Sequence, residues 1–236
     1  MEKLTKKEKK ELKRLEKEQQ LEKNKKQGTY KTIVYGVIGL VVLALIIWGI
    51  VATASSTKNQ GPVVPPISSN DITTGSATSK ANLIEYADFE CPACATYSKY
   101  IELMREDLPK DLRVVFRFFP LPQHKLISSQ VAYAAYKQGQ FWEMYKLLYD
   151  NQEKWTGSSE PQPLFDDYAK QLNLDLDKFH NDQNADSSKK FIEDQYNQGL
   201  NIGIDHTPTF YLNGNVIEPT SYEEFKALVE NEIKKK

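Results

Sequence analysis

Apolar residues are distributed along this chain in three patterns, and each pattern predicts a different structure. The longest run, residues 33–54, is almost wholly apolar and contains no charged side chain. Residues 82–87 and 113–119 are shorter apolar runs of the kind that form buried strands. Elsewhere in the second half of the chain, apolar side chains recur at the spacing of helices that bury one face. The patterns predict one membrane-spanning helix followed by a mixed α/β domain.

The long apolar run predicts a transmembrane helix over residues 32–54, because it can cross a hydrocarbon core of about 30 Å. Residues 1–31 carry 12 Lys and Arg against 6 Glu, and such a positive surplus keeps a flanking segment in the cytoplasm. We therefore predict a cytoplasmic basic tail over 1–31, a single-pass anchor in the cell membrane, and an extracytoplasmic remainder. A signal peptide cleaved after Ala54 is the competing interpretation, but the apolar run is longer than the usual signal core.

Composition changes again after the apolar run. Residues 55–80 are rich in Ser, Thr, Gly, Pro and Asn, which predicts a flexible linker. The formal net charge is −1, and since residues 1–31 contribute +6, the rest of the chain carries −7. This acidic balance argues against nucleic acid as a partner.

The domain predicted over residues 81–236 begins with a βαβ unit. Its strands are residues 82–87 and 113–119, joined by a helix over 94–107, and this order implies parallel pairing. Periodicity predicts the remaining elements. They are a helical insertion over about 124–203 (helices at 128–138, 141–149, 164–172 and 187–199), strands at 209–213 and 216–217 with a turn at Gly214, and a final helix at 222–234.

The only two cysteines, Cys91 and Cys94, follow the first strand of this domain. A helix that begins at Cys91 places Cys94 one turn further on the same face, within disulfide reach. Pro92 suits the first helical turn because it has no N–H to donate. The helix N-terminus stabilises a thiolate on Cys91 and lowers its pKa. The pattern predicts a redox dithiol with an exposed, reactive Cys91 and a buried Cys94.

Two other interpretations of the cysteine pair are weaker. A zinc site would need further ligands from histidines and carboxylates, since there is no second cysteine pair. A purely structural disulfide across so short a loop would remove little entropy from the unfolded chain. We therefore expect no metal, and no cofactor other than the redox-active disulfide between Cys91 and Cys94.

Four stretches resemble the DsbA-like thiol-disulfide oxidoreductases of the thioredoxin superfamily, most closely the membrane-tethered bacterial forms. They are residues 88–94 (DFECPAC), 118–124 (FFPLPQH), 138–144 (QGQFWEM) and 207–214 (TPTFYLNG). The resemblance runs from about Leu83 to the C-terminus. It implies a thioredoxin-like α/β fold with an inserted helical subdomain, and a cis bond before Pro208 that lies beside the dithiol.

The resemblance also implies roles for the residues around the sulfurs. Pro208 with Thr207 would present a backbone edge on which an extended substrate segment pairs. Pro92 and Ala93, between the cysteines, would tune the dithiol. Ala93 stands where some strongly oxidising relatives have a histidine, so a reductase or isomerase stays open as an alternative.

Polar side chains near the motifs have less definite roles. Glu90 opposes a thiolate on Cys91, yet it could assist proton transfer to Cys94 if partly buried. His206 either holds a proton near the sulfurs or is a loop residue. His124 fits the family pattern without a physical role, and His180 is expected at the surface.

These features predict an extracytoplasmic enzyme that donates its disulfide to thiols of secreted or membrane proteins. Such an enzyme must be reoxidised, and the resemblance implies a quinone-linked membrane protein of the DsbB or VKOR type. A disulfide reductase or isomerase of the same compartment is one alternative function. A non-catalytic, tethered thioredoxin-like binding domain is another.

Overall fold

The computed structural model describes residues 64–235, which form a sheet covered by helices. Within this part of the chain no helix is both long and apolar enough to cross a membrane. The basic tail predicted over 1–31 and the transmembrane helix predicted over 32–54 lie outside the described residues.

The predicted elements occur in the predicted order, and one strand and two short helices occur in addition. The strands are β1 (Ile72–Thr74), β2 (Ala81–Ala87), β3 (Leu112–Phe118), β4 (Thr209–Leu212) and β5 (Asn215–Ile217). The helices are α1 (Pro92–Asp107), α2 (Ile127–Tyr136), α3 (Phe141–Asp150), α4 (Gln152–Thr156), α5 (Gln162–Gln171), α6 (Leu176–Asn184), α7 (Asp186–Asn201) and α8 (Tyr222–Lys234). Helices α2 to α7 form the predicted helical insertion between β3 and β4.

The strands are arranged in the order β1-β3-β2-β4-β5. β2 pairs parallel with β3, which confirms the pairing predicted for the βαβ unit. β4 pairs antiparallel with β2, with Thr209 opposite Tyr86. Because the two strands run in opposite directions, the start of β4 lies beside the end of β2. This register brings the loop before β4 next to the cysteine motif that follows β2.

Side chains of β2 alternate between two buried layers, as strand geometry requires. Leu83 packs with Ile101 and Met104 of α1, whereas Ile84 and Tyr86 pack in a separate cluster on the other face. Glu85 shares the α1 face with Leu83 by this alternation. A carboxyl group is therefore buried in the centre of the sheet, beneath the helix that carries the dithiol.

The predicted turn between β4 and β5 is confirmed. Asn213 and Gly214 both adopt positive φ, at 48° and 86°, as a two-residue hairpin turn of the mirror-image type requires.

The linker predicted over residues 55–80 is too long, because residues from 64 onward pack on the domain. β1 pairs antiparallel with β3, and Val64 and Ile72 are buried. Arg117 of β3 is buried and donates to both carboxylate oxygens of Asp71, at 2.8 and 2.9 Å. A buried guanidinium needs such a partner, so Ser- and Pro-rich sequence is ordered here by a few specific contacts.

Periodicity did not predict α4 and α6. α6 is polar and buries only Phe179 and Gln183, while the side chain of Asp175 caps it by accepting from the N–H of Lys178. α4 has only five residues. Both are short, and a short helix presents too little of an apolar stripe for periodicity to register.

Candidate active site

The dithiol lies at the junction of β2 and α1. Cys91 is the N-cap of α1, with φ −79° and ψ 120°, and Pro92 is the first residue of the helix. The N–H of Cys91 donates to the carbonyl of Asp88 at 3.1 Å, which closes a tight turn before the helix. The turn sets Cys91 Sγ at the helix N-terminus, where unpaired N–H groups are available to it.

The buried carboxylate of Asp88 organises this turn. Its Oδ1 accepts from the N–H of Glu90 at 2.9 Å, and its Oδ2 accepts from the N–H of Leu121 at 2.8 Å. His124 Nδ1 lies 2.5 Å from the same Oδ2. The structure therefore gives His124 a role that the sequence did not: it helps Asp88 tie the loop after β3 to the cysteine turn.

Both cysteines are present as free thiols. Cys91 keeps 7% of its surface accessible and Cys94 none, so Cys94 is buried as expected. Cys91 was expected to be exposed, but it is almost fully buried because the loop before β4 covers it. Pro92 and Ala93, which lie between the two cysteines, are both exposed.

That covering loop contains the Thr207–Pro208 bond, which is cis as the resemblance implied. Cys91 Sγ lies 3.3 Å from the carbonyl oxygen of Thr207 and donates to it. The side chain of Thr209 donates to the carbonyl of His206 at 2.8 Å and steadies the loop. The antiparallel register of β4 on β2 thus brings Thr207 and Pro208 against the first cysteine.

The surroundings of Cys91 favour its thiolate and lower its pKa from 9.0 to about 5. The largest cause is the hydrogen bond from Cys94, and burial opposes it. The side chain of Thr207 and the backbone N–H groups of Cys94 and Ala93 lower the pKa further. The buried Thr207 hydroxyl has no hydrogen-bond partner within residues 64–235, so it is free to turn toward the sulfur.

Cys94 has the opposite character. Burial raises its pKa well above the ordinary value, as do the hydrogen bond to Cys91 and the charges of Cys91 and Glu85. A thiolate on Cys91 beside a thiol on Cys94 is the arrangement of a reactive dithiol with one attacking and one resolving sulfur.

Glu85 is the main residue of the site that sequence reasoning missed. Burial raises its pKa to about 8, against a hydrogen bond from Tyr145 Oη at 3.2 Å that lowers it, and the charge of Cys91 adds to the rise. Its Oε1 is buried without a hydrogen-bond partner in the described part of the chain. The available signal was a single acid within the mainly apolar strand NLIEYA.

Glu90 does not occupy the position expected of a proton carrier for Cys94. It is half-buried, and its Oε1 accepts from the N–H of Lys125 at 3.0 Å. Glu85, not Glu90, is the acid whose charge raises the pKa of Cys94. Glu90 instead helps hold the loop after β3.

The remaining histidines lie at the surface. His206 is exposed, and its Nδ1 lies 2.7 Å from Asp205 Oδ1. His180, in α6, lies 2.8 Å from Asp166 Oδ1 and is half-buried. Within residues 64–235, no group of three or more His, Cys, Asp or Glu side chains is placed to hold a metal ion.

An open cleft of about 350 Å³ runs beside the cis-proline. Pro208 and Phe210 form one side, and Tyr97 of α1 lies against them. Tyr97 also donates a hydrogen bond to the carbonyl of Pro219, which fixes the loop between β5 and α8 as the far wall. A mainly apolar cleft thus opens next to the reactive sulfur.

Residues 68–231 match the family model described as thioredoxin. The chain is 33% identical over 157 residues to the Na(+)/H(+) antiporter NhaA 1 of Salinispora arenicola, covering 64% of this chain but 23% of that protein. It spans about a quarter of the length of such antiporter relatives.

A second relative matches over nearly its whole length. The chain is 25% identical over 211 residues to the probable disulfide bond formation protein D of Bacillus anthracis, covering 86% of this chain and 95% of that protein.

Solved structures share the fold. BdbD from Bacillus subtilis superposes with a TM-score of 0.63 at 19% identity, over 75% of this chain and 100% of that one. Alpha-DsbA1 from Wolbachia pipientis gives 0.64 at 20% identity, over 75% and 97%. The chain therefore belongs to the thioredoxin family.

Proposed function

We propose that this protein is a membrane-anchored, extracytoplasmic oxidoreductase that donates the disulfide between Cys91 and Cys94 to thiols of secreted proteins. The observation that carries the proposal is the pairing of a stabilised Cys91 thiolate with a buried Cys94 thiol. A dithiol whose reduced form is stabilised in this way gives up its disulfide readily, since the thiolate is a good leaving group.

The reaction has two exchange steps. A substrate thiolate attacks Cys91 Sγ in the oxidised protein; the bond to Cys94 breaks, and Cys94 leaves with the bonding electron pair. A second substrate thiolate then attacks the substrate sulfur of the mixed disulfide and expels Cys91 as its thiolate. The substrate loses two electrons and gains a disulfide, and the dithiol is reduced.

Glu85 supplies the proton that the first step requires. Because burial raises its pKa to about 8, Glu85 is mostly protonated at neutral pH. Cys94 has a pKa well above the ordinary value and needs a proton as it leaves. The acid and the sulfur share the buried layer under α1, so the transfer occurs away from bulk solvent.

The loop at Thr207 and Pro208 and the adjacent cleft form the substrate-binding surface. An extended segment that pairs with the backbone edge of this loop places its cysteine at Cys91, and Tyr97 and Phe210 offer apolar surface to neighbouring side chains. Backbone pairing tolerates many sequences, which suits an enzyme that acts on varied proteins.

The membrane location rests on the sequence. The apolar run at 32–54 and the basic segment at 1–31 support a single-pass anchor with a cytoplasmic N-terminus. Disulfides persist outside the cytoplasm, where a donor would act. The B. anthracis relative named as a probable disulfide bond formation protein supports the same role. We propose a quinone-linked membrane protein of the DsbB or VKOR type as the reoxidant.

A reductase is the second candidate, and Ala93 is the residue that favours it. Ala93 brings no positive charge beside Cys91, so the thiolate relies on hydrogen bonds alone. A reductase runs the same two steps in reverse and needs an electron donor in place of the reoxidant.

The test uses the full-length chain, oxidised, with a reduced test protein that forms one disulfide. The wild type should oxidise the substrate. Cys94→Ser has no disulfide to donate, so it is mixed instead with the disulfide form of the same test protein: its Cys91 thiolate attacks that disulfide, one substrate sulfur leaves as a thiolate, and the mixed disulfide should accumulate because Cys94 is absent to resolve it. Cys91→Ser should trap none. Ordinary oxidation by the double variant Cys91→Ser, Cys94→Ser would show that the dithiol is not the catalytic group and would favour a non-catalytic binding domain.

A further inference from the structure

The junction between α3 and α4 contacts the cysteine turn from the side opposite the cis-proline loop. Gln152, the first residue of α4, is 8% exposed. Its Nε2 donates to two backbone carbonyls, that of Phe89 at 2.7 Å and that of Cys91 at 2.9 Å. Nearby, Tyr149 Oη donates to the carbonyl of Asp88 at 3.3 Å. One buried amide therefore links the carbonyl groups of Phe89 and Cys91, the two neighbours of Glu90.

These bonds constrain the orientation of the Cys91 peptide. The carbonyl of Cys91 accepts both from Gln152 and from the N–H of Ala95 at 3.2 Å, the first hydrogen bond of α1. The two hydrogen bonds fix the orientation of this carbonyl, and Cys91 keeps its extended N-cap conformation. The N–H groups of Ala93 and Cys94 point at Sγ only in that conformation.

We propose that Gln152 is a positioning residue that fixes the Cys91 backbone so that the helix N–H groups meet its sulfur. The inference rests on the proposed function, because it assigns to the helical insertion a part in stabilising the reactive thiolate. Gln152 carries no charge and does not reach the sulfur itself, so its effect is transmitted through the two carbonyls. Nothing in the local sequence marks this residue.

The charged side chains near Gln152 do not help to position the Cys91 backbone. Lys99, Asp150, Glu153 and Lys154 line the same shallow cleft as Gln152 and Pro92, and all four are exposed. On the buried side the groups that act on Cys91 are Cys94, Thr207 and Glu85. None of these makes a hydrogen bond to Gln152 in the described part of the chain.

The test compares two Gln→Met variants in the full-length, reduced protein. Gln152→Met removes the bridging amide while keeping most of its volume. Gln183→Met is the matched control: Gln183 is also a buried amide of the helical insertion, and its side chain pairs with Gln162, away from the dithiol. The thiolate of Cys91 is followed by its ultraviolet absorbance against pH, and stability by denaturant unfolding.

Gln152→Met should raise the pKa of the Cys91 thiol by about half a unit or more, which is an acid dissociation constant about threefold lower. The reduction potential should fall in parallel. Gln183→Met should lose stability without either shift. If Gln152→Met does not fold, Gln152→Asn serves instead, since it keeps a neutral amide but is one methylene too short to reach both carbonyls.

Two failures are distinguishable. A wild-type Cys91 that titrates near its ordinary pKa would contradict the proposed function itself. A wild-type thiol with a low pKa, left unshifted in Gln152→Met or Gln152→Asn, would overturn only the role of Gln152.

Discussion

The carbonyl oxygen of Thr207 lies 3.3 Å from the Sγ of Cys91, although 116 positions separate the two residues in the chain. The contact follows from the antiparallel pairing of β4 with β2, which places the start of one strand at the end of the other. The carbonyl of Thr207 accepts from the protonated thiol, whereas its side chain favours the thiolate and lowers the Cys91 pKa.

Thr207→Val should raise the pKa of Cys91 by about one unit, because a hydrogen bond to a charged group contributes about 1.5 kcal/mol and one pKa unit corresponds to about 1.4 kcal/mol. Valine keeps the shape of threonine and the backbone carbonyl, so only the hydroxyl is lost. Thiolate absorbance against pH measures the shift. An unchanged titration curve would show that the hydroxyl does not act on the sulfur.

The reduced protein should be more stable than the oxidised protein at neutral pH, and the difference should shrink in acid. The Cys91 pKa falls from 9.0 in a free thiol to about 5 in the fold, so the thiolate contribution is complete above pH 9 and is lost as pH falls toward 5. Near pH 7 we expect about 1 to 2 kcal/mol, because solvent screens part of the interaction. Denaturant unfolding of both forms from pH 5 to pH 9 measures it. A difference that grew on acidification would contradict the assignment.

Glu85→Gln should stabilise the protein and slow its chemistry. Burial raises the Glu85 pKa from 4.5 to about 8, so the wild type loses stability as pH rises through that range and the variant does not. At pH 7 the gain should be about 1 to 3 kcal/mol, disappearing toward pH 4. Stopped-flow reaction with a single-thiol substrate should show slower formation of the mixed disulfide.

Glu143→Gln provides the comparison for this prediction, because Glu143 is an exposed acid on α3. It should change neither the rate nor the pH dependence. A Glu85→Gln variant that reacts at the wild-type rate would remove Glu85 from the mechanism.

Asp71→Ala should destabilise the domain by about 3 kcal/mol, because it leaves the buried guanidinium of Arg117 without its charged partner. Asp167→Ala, which breaks a pair with Lys170 that is exposed on both sides, should have little or no effect. Denaturant unfolding compares the two. Equal, small losses would mean that residues 64–74 contribute little to the fold.

The sequence was sufficient for those parts of the site that are encoded locally. Cys91 and Cys94 lie within one helical turn, and Pro92 with the preceding strand places them at a helix N-terminus, so short-range rules apply. Pro208 lies far away in the chain, and only the family resemblance placed it beside them.

The rest depends on contacts between distant elements, which periodicity does not encode. Glu85 becomes an acid with a raised pKa only because the folded domain buries it, and the hydrogen bond from Tyr145 of α3 offsets only part of that rise. Arg117 is paired in the interior with Asp71, which lies 46 positions earlier in the chain, and no local pattern links the two residues. Gln152 has no pattern of its own, and its two acceptors are backbone carbonyls that any sequence could supply.

The reduction potential of the full-length protein, measured by equilibration with glutathione redox buffers, tests the central claim most directly. Stabilisation of the Cys91 thiolate predicts a value closer to about −120 mV, the scale of strong disulfide donors. A value near about −270 mV, the thioredoxin scale, would contradict disulfide donation and assign the protein to the reductases.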